Sequence, residues 1–125
     1  MITGVVAIHT ISTLFYILKK YIPSENIREL FYNLFEIIEI GSANKESILH
    51  ALRNKTFPDF EDGLQYQCAL EETVDCIITR NKKDFLGSTI PVYTPNEFLA
   101  RFLLAAFSFP CYNFLCMRFT AQYRV

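Results

Sequence analysis

The sequence predicts an α/β protein, a three-layer sandwich in which a largely parallel sheet is flanked by helices. Three observations predict it. Segments with the apolar period of a helix alternate with short β-branched runs, the pattern that right-handed crossovers between parallel strands produce. The 125 residues suit one compact domain, which at this size hides about two thirds of its unfolded surface. A composition 51% hydrophobic and 15% aromatic, with a mean hydropathy of +0.19, excludes disorder.

The elements follow in order. Ile8, Ile11, Leu14, Phe15 and Leu18 recur at steps of three and four and predict a helix ending near Lys19 and Lys20, where cations suit the C-terminus. Pro23 and Ser24 open a second helix with Glu25 in its first turn and Ile27, Leu30, Phe31, Leu34 and Phe35 as its apolar face. Glu36 to Ile40, before Gly41, predicts a short strand. Asn44 and Glu46 open a third helix that turns Ile48, Leu49 and Leu52 inward and ends at Arg53-Asn54-Lys55. Asp59 caps a fourth helix, with Leu64, Cys68 and Ala69 on its apolar side. Val74 to Thr79 reads as a buried strand, and Ile90 to Tyr93 as a short one near the sheet edge because of Pro91. Thr94-Pro95-Asn96-Glu97 is a capping box with proline at the first helical position, so a last helix starts at Pro95.

Three strands make a thin sheet. A parallel sheet buried on both faces needs more, so a central strand is expected to be absent or supplied by another chain. The pattern divides the chain into a domain over 1–100 and a hydrophobic extension over 101–125. Phe102 to Met117 carries no charge, yet it is shorter than the ~20 residues of a spanning helix and contains Pro110. The extension is therefore expected to be an unrelated addition or an apolar arm over an exposed sheet edge, with membrane contact the less favoured reading. Cys68, Cys76, Cys111 and Cys116 show no C-x-x-C spacing, and only His9 and His50 could join them, so the thiols read as small buried hydrophobes rather than zinc ligands. MITGVVAIHT has no basic leader region, and a cytoplasmic location is expected.

In an open parallel sheet, ligands bind beyond the carboxyl ends of the strands. Asp84 lies in a loop of that kind, and Asp59, Glu61 and Asp62 begin a helix that can face the same edge. Clustered carboxylates suit Mg²⁺ or Mn²⁺, hard cations that activate water against a phosphodiester. Arg80, Lys82 and Lys83 beside Asp84 can hold phosphates, and Asn81 can orient a water or the Asp84 carboxylate. A net charge of −1 gives no global basic field, so any nucleic-acid contact has to be local. The plainer reading is that acids in a first helical turn meet the macrodipole, and that cations after a strand face solvent.

The run FPDFEDGLQYQCALEETVDCIITRNKKDF, followed by IPVYTPNEFLA, resembles the C-terminal part of bacterial PIN domains, the fold of VapC-like toxins. The resemblance extends over roughly Val5 to Leu99. It is most specific at the D-x-x-D pair Asp59 and Asp62 and at the T-R-N-x-x-D-F run from Thr79 to Phe85. It implies a Mg²⁺- or Mn²⁺-dependent endonuclease of single-stranded RNA, paired with an antitoxin protein and able to form a homodimer. Asp62 and Asp84 match the family's metal carboxylates, Asp59 is an accessory one, and Asn81 and Thr79 match polar positions that shape the site.

Two departures qualify what the resemblance implies. PIN domains begin with a strand bearing the first metal-binding aspartate, and nothing before Gly4 supplies it, so the first strand is expected to be missing. The glutamate of the family's early helix falls at Thr13, which can donate a hydrogen bond but cannot neutralise a cation. One pair of unit charges about 4 Å apart at an effective dielectric near 20 is worth ~4 kcal/mol before desolvation. The expectation is therefore impaired activity, and the alternative is an inactive remnant that acts as a protein-binding module.

Overall fold

The computed structural model describes residues 2–102 and 115–119. Its elements are β1 (Ile2–Ala7), α1 (Ile8–Leu18), α2 (Ser24–Leu34), β2 (Ile38–Gly41), α3 (Lys45–Arg53), α4 (Phe60–Glu71), β3 (Cys76–Ile78), a 3-10 turn (Lys82–Phe85), β4 (Val92–Tyr93), α5 (Pro95–Phe102) and β5 (Leu115–Phe119). They form the expected mixed α/β architecture.

Among the described residues the reading of three strands is corrected to five, in the order β2-β1-β5-β3-β4. β1 and β2 pair in parallel, Gly4 opposite Ile38 through Ala7 opposite Gly41, and β3 pairs in parallel with β4. The central position is filled from within the chain: β5, from the C-terminal extension, runs antiparallel to both β1 and β3. Ile2–Ala7 escapes a reading based on period because it is uniformly apolar or small and runs without punctuation into the helical stripe that starts at Ile8. Val5, Val6 and Ala7 are buried, as a strand covered on both faces requires.

The core joins the sheet to α4. Val5, Phe57, Tyr66, Ala69, Val74, Ile77 and Phe85 form one buried cluster, in which Phe57 stacks on Tyr66 at 4.6 Å and meets Phe85 edge-on at 5.9 Å. Each such side chain contributes about 1.5–3 kcal/mol on burial. Phe57 therefore anchors the chain just before Asp59. Under β3 and β4 a smaller cluster of Cys76, Ile78 and Phe98, with Tyr93 against it, seats α5. The Thr94–Glu97 capping box forms as expected, each residue's side chain accepting from the other's backbone N–H.

α3 turns differently from the expectation. Ile48 and Leu52 are exposed, and Ser47 and Ala51 are the buried pair. This is the face that α3 turns to α4, and the Ala51 carbonyl oxygen lies within ordinary contact distance, 3.7 Å, of where a Cβ at Gly63 would stand. Ser47 Oγ donates to Glu71 Oε2 at 2.8 Å across this contact. α4 ends in a Schellman motif, Val74 N–H to Ala69 O and Thr73 N–H to Leu70 O, with Thr73 in the left-handed region at φ 50°. Cys68 and Cys76 are free and buried, and burial pushes both thiols up to about 11, so they pack as neutral groups. Among the described residues, no helix is long and apolar enough to cross a membrane.

Candidate functional site, an acidic edge

β1 and β3 both run antiparallel to β5, so they are parallel to each other and their carboxyl ends share one edge of the sheet. β1 leads directly into α1, and β3 into the turn that carries Asp84. The Asp59 side chain caps α4, with Oδ1 accepting from the Glu61 N–H at 2.8 Å and the Asp62 N–H at 3.3 Å. This fixes Glu61 and Asp62 in the first helical turn, as an N-cap aspartate does.

Four carboxylates gather here. The Asp62 carboxyl is pushed up to about 6, first by burial and then by the negative charges of Asp59, Asp84 and Glu61. Asp84 is thus brought to the helix N-terminus from a segment more than 20 residues away in sequence. It is held by Asn81, whose Nδ2 donates to Asp84 Oδ2. Asn81 is fixed in turn by its own N–H, which donates to Thr79 Oγ1 at 3.1 Å. Thr79 is buried, and its N–H donates to Tyr93 O at 2.9 Å, so the loop is tied to the sheet. Thr79, Asn81 and Asp84 thereby form a chain of support that ends in a carboxylate.

The basic residues divide. Lys82 reaches away from the carboxylates to Glu97, at 2.9 Å and 3.1 Å, and this pair, with the Thr94 backbone N–H foremost, holds the Glu97 carboxyl below its ordinary range. Arg80 and Lys83 are exposed beside Asp84. Thr13 Oγ1 donates to the His9 carbonyl of its own helix at 3.3 Å, an internal back-bond.

Three residues stand at the same edge, of which the sequence reading passed over Thr10 and Gln65 and weighed His9 only as a zinc ligand. Thr10 is buried in the first turn of α1, and Gln65 Nε2 donates to its hydroxyl at 2.8 Å, pinning α1 to α4 one turn below Asp62. His9 precedes Thr10; its Nε2 is buried with no hydrogen-bond partner among the described residues, and burial lowers its pKa against the opposing pull of Glu61. A polar pair just after an apolar strand, in the first turn of a helix, was the available signal for His9 and Thr10. Gln65 offered none, because a glutamine within a helix reads as solvent-facing.

An edge of this kind, with acidic residues beyond the carboxyl ends of parallel strands, belongs to an α/β protein of the open-sheet class. The comparisons agree with that class and narrow it. The family described as PIN domain matches residues 1–83, so the chain belongs to the PIN domain family. Ribonuclease VapC1 of Aquifex aeolicus (strain VF5) is 34% identical over 94 residues, which are 73% of this chain and 65% of that protein. The match thus spans slightly less than two thirds of the relative's length. No solved structure gives a significant match.

Proposed function

We propose that the acidic edge is the metal-dependent site of a toxin–antitoxin type PIN ribonuclease acting on single-stranded RNA. The observation that carries this reading is Asp62 at the N-terminus of α4, where burial first, and then the charges of Asp59, Asp84 and Glu61, push its carboxyl up to about 6. Such a set fits a hard divalent cation by charge and by its all-oxygen donors. The fit is an open one, since no three His, Cys, Asp or Glu side chains among the described residues already stand in a ligating cluster. Asp62 and Asp84 would hold Mg²⁺ or Mn²⁺, with Asp59 chiefly engaged as a helix cap.

When bound, the cation supplies charge neutralisation at the phosphate and a water of lowered pKa. The chain's own residues do the rest. Asn81 and Thr79 orient the Asp84 carboxylate, the Asp59 cap sets the direction of Asp62, and Arg80 and Lys83 stand where phosphate oxygens of a flanking nucleotide can be held. Lys82 serves this site by anchoring the turn to α5 through Glu97. β1 contributes no acidic side chain and Thr13 no charge, so two principal carboxylates act alone and the activity is weak. In this reading residues 1–100 are the PIN-like unit and 101–125 an extension that lends it β5, in a cytoplasmic protein.

A second reading has its own observation. A largely apolar groove of about 500 Å³ runs between α1 and α2, lined by Ile8, Ile11, Phe15, Tyr16 and Phe31 with Ser12 and Lys19. Tyr16, Leu30 and Tyr32 lie exposed on the same two helices, and Tyr21 in the turn that joins them. A patch of that kind suits a protein partner, either an antitoxin or a second copy. The discriminating experiment is cleavage of an end-labelled single-stranded RNA with Mn²⁺ or with a chelator. Metal-dependent cleavage that Asp62→Asn and Asp84→Asn both abolish supports the enzyme; cleavage that survives in both variants refutes the assigned site.

A further inference from the structure

The strand order has a mechanical meaning. β1 has β2 on its outer side and β3 has β4, and each turns its inner edge to β5. Without β5, these are two parallel pairs with no ladder between them. β5 also fixes how far one pair is advanced along the other. Met117 stands opposite Gly4 on one side and Cys76 on the other, and Cys116 stands opposite Val5 and Ile77. Gly4 is therefore level with Cys76 and Val5 with Ile77, which brings Ala7 level with Thr79 at the carboxyl ends.

The acidic edge lies beyond those two ends, with Asp84 following β3 and Asp62 on α4, which is tied to the segment that follows β1. Beyond Ala7 come His9 and Thr10, and Thr10 is pinned to α4 by Gln65, one turn from Asp62. Beyond Thr79 come Asn81 and Asp84. A slip of two residues on one side of β5 would displace one end by roughly 6.6 Å relative to the other, at about 3.3 Å per residue. That is more than the span of a shared carboxylate site. β5 pairs with β1 across more than 110 residues of chain, so it makes the most non-local contacts in the sheet.

We propose that β5 is a clasp: insertion of residues 115–119 between β1 and β3, in this register, assembles the acidic edge, and the edge comes apart when the strand leaves. The proposal rests on the acidic edge being the working site, but its tests use neither metal nor RNA, so its failure is separate from failure of the nuclease reading.

Two variants of the full chain test it. Opposed residues in an antiparallel pair have Cα atoms about 4.5–5.5 Å apart, within the range that a disulfide spans. Met117→Cys, oxidised with copper phenanthroline, is expected to give a disulfide between position 117 and Cys76 within one chain, located by peptide mass mapping. Failure to form it, or its formation only between two chains, overturns the proposal. Met117→Pro removes a backbone donor from the central strand. Hydrogen exchange should then quicken at least tenfold at Val5 to Ala7, Cys76 to Ile78 and Asn81 to Asp84, with α3 and α4 still protected. Unchanged exchange at those segments overturns the clasp. If Met117→Pro loses protection everywhere, the comparison passes to Met117→Cys. Its oxidised form must protect the Asn81–Asp84 turn at least tenfold better than its reduced form, and equal protection overturns the proposal.

Discussion

Replacing Asp62 by asparagine removes the one carboxyl that the structure places at a marked disadvantage. Its pKa of about 6 in the fold, against 3.8 for an ordinary aspartate, means that the folded chain holds the proton more tightly than the unfolded chain. The resulting stability is fully present below about pH 4 and is lost as pH rises through about 6. A shift of about two units corresponds to roughly 3 kcal/mol, and solvent screening of this half-buried group reduces that to about 1–2 kcal/mol. His9 acts in the opposite sense, because burial favours its neutral form and its contribution fades as pH falls below its ordinary 6.5. The two are separated by comparing variants. Urea unfolding of parent and Asp62→Asn chains from pH 4 to 8, without divalent metal, is expected to show equal stability near pH 4 and an advantage of about 1–2 kcal/mol for the variant at pH 7.5. A variant less stable than the parent at pH 7.5, or a parent that gains on the variant as pH rises, refutes the argument that burial and like charge disfavour the Asp62 carboxylate.

Thr73→Gly should stabilise the chain by about 1 kcal/mol, read as a higher urea midpoint, because a β-branched residue occupies the left-handed position of a Schellman motif that glycine fills without strain. Gly41→Ala should cost about 1–3 kcal/mol in the same assay, since the added Cβ would meet Cys68 Sγ at 2.5 Å and Glu72 Cγ at 3.1 Å where β2 passes under α4. Lys83→Ala should leave the melting temperature unchanged and lower the salt dependence of single-stranded RNA binding by about 0.7 in the log–log slope, the loss of one phosphate contact. Lys82→Ala should disturb the Asn81–Asp84 turn instead, seen as faster hydrogen exchange there, because its ammonium is engaged with Glu97.

Much of this was legible where local chemistry decides structure. The Asp59 cap, the Thr94–Glu97 box and the β-branched run around Cys76–Ile78 form as their residues dictate, and the cap together with the Thr79–Phe85 motif located the acidic edge. What stayed hidden depends on long-range packing. Ile48 and Leu52 satisfy a helical apolar pattern, yet the face that α3 turns to α4 is Ser47–Ala51, with Ser47 bonded to Glu71. The central strand was expected to be absent or supplied by another chain, and the extension to be an unrelated addition or an arm over the sheet edge, because nothing local in Leu115–Phe119 says that it pairs in the middle of the sheet. Lys82 looked like its neighbours Arg80 and Lys83 until the position of Glu97 distinguished it.

The central claim is that Asp62 and Asp84 together bind a divalent cation, and a Mn²⁺ titration followed by thermal unfolding tests it most directly. A ligand that binds only the folded chain stabilises it by about 2.7 kcal/mol at a hundred times its Kd. The account predicts a saturable rise in melting temperature with Mn²⁺ for the parent chain and none for Asp62→Asn or Asp84→Asn. A parent chain that does not respond, or a rise that both variants retain, would contradict it.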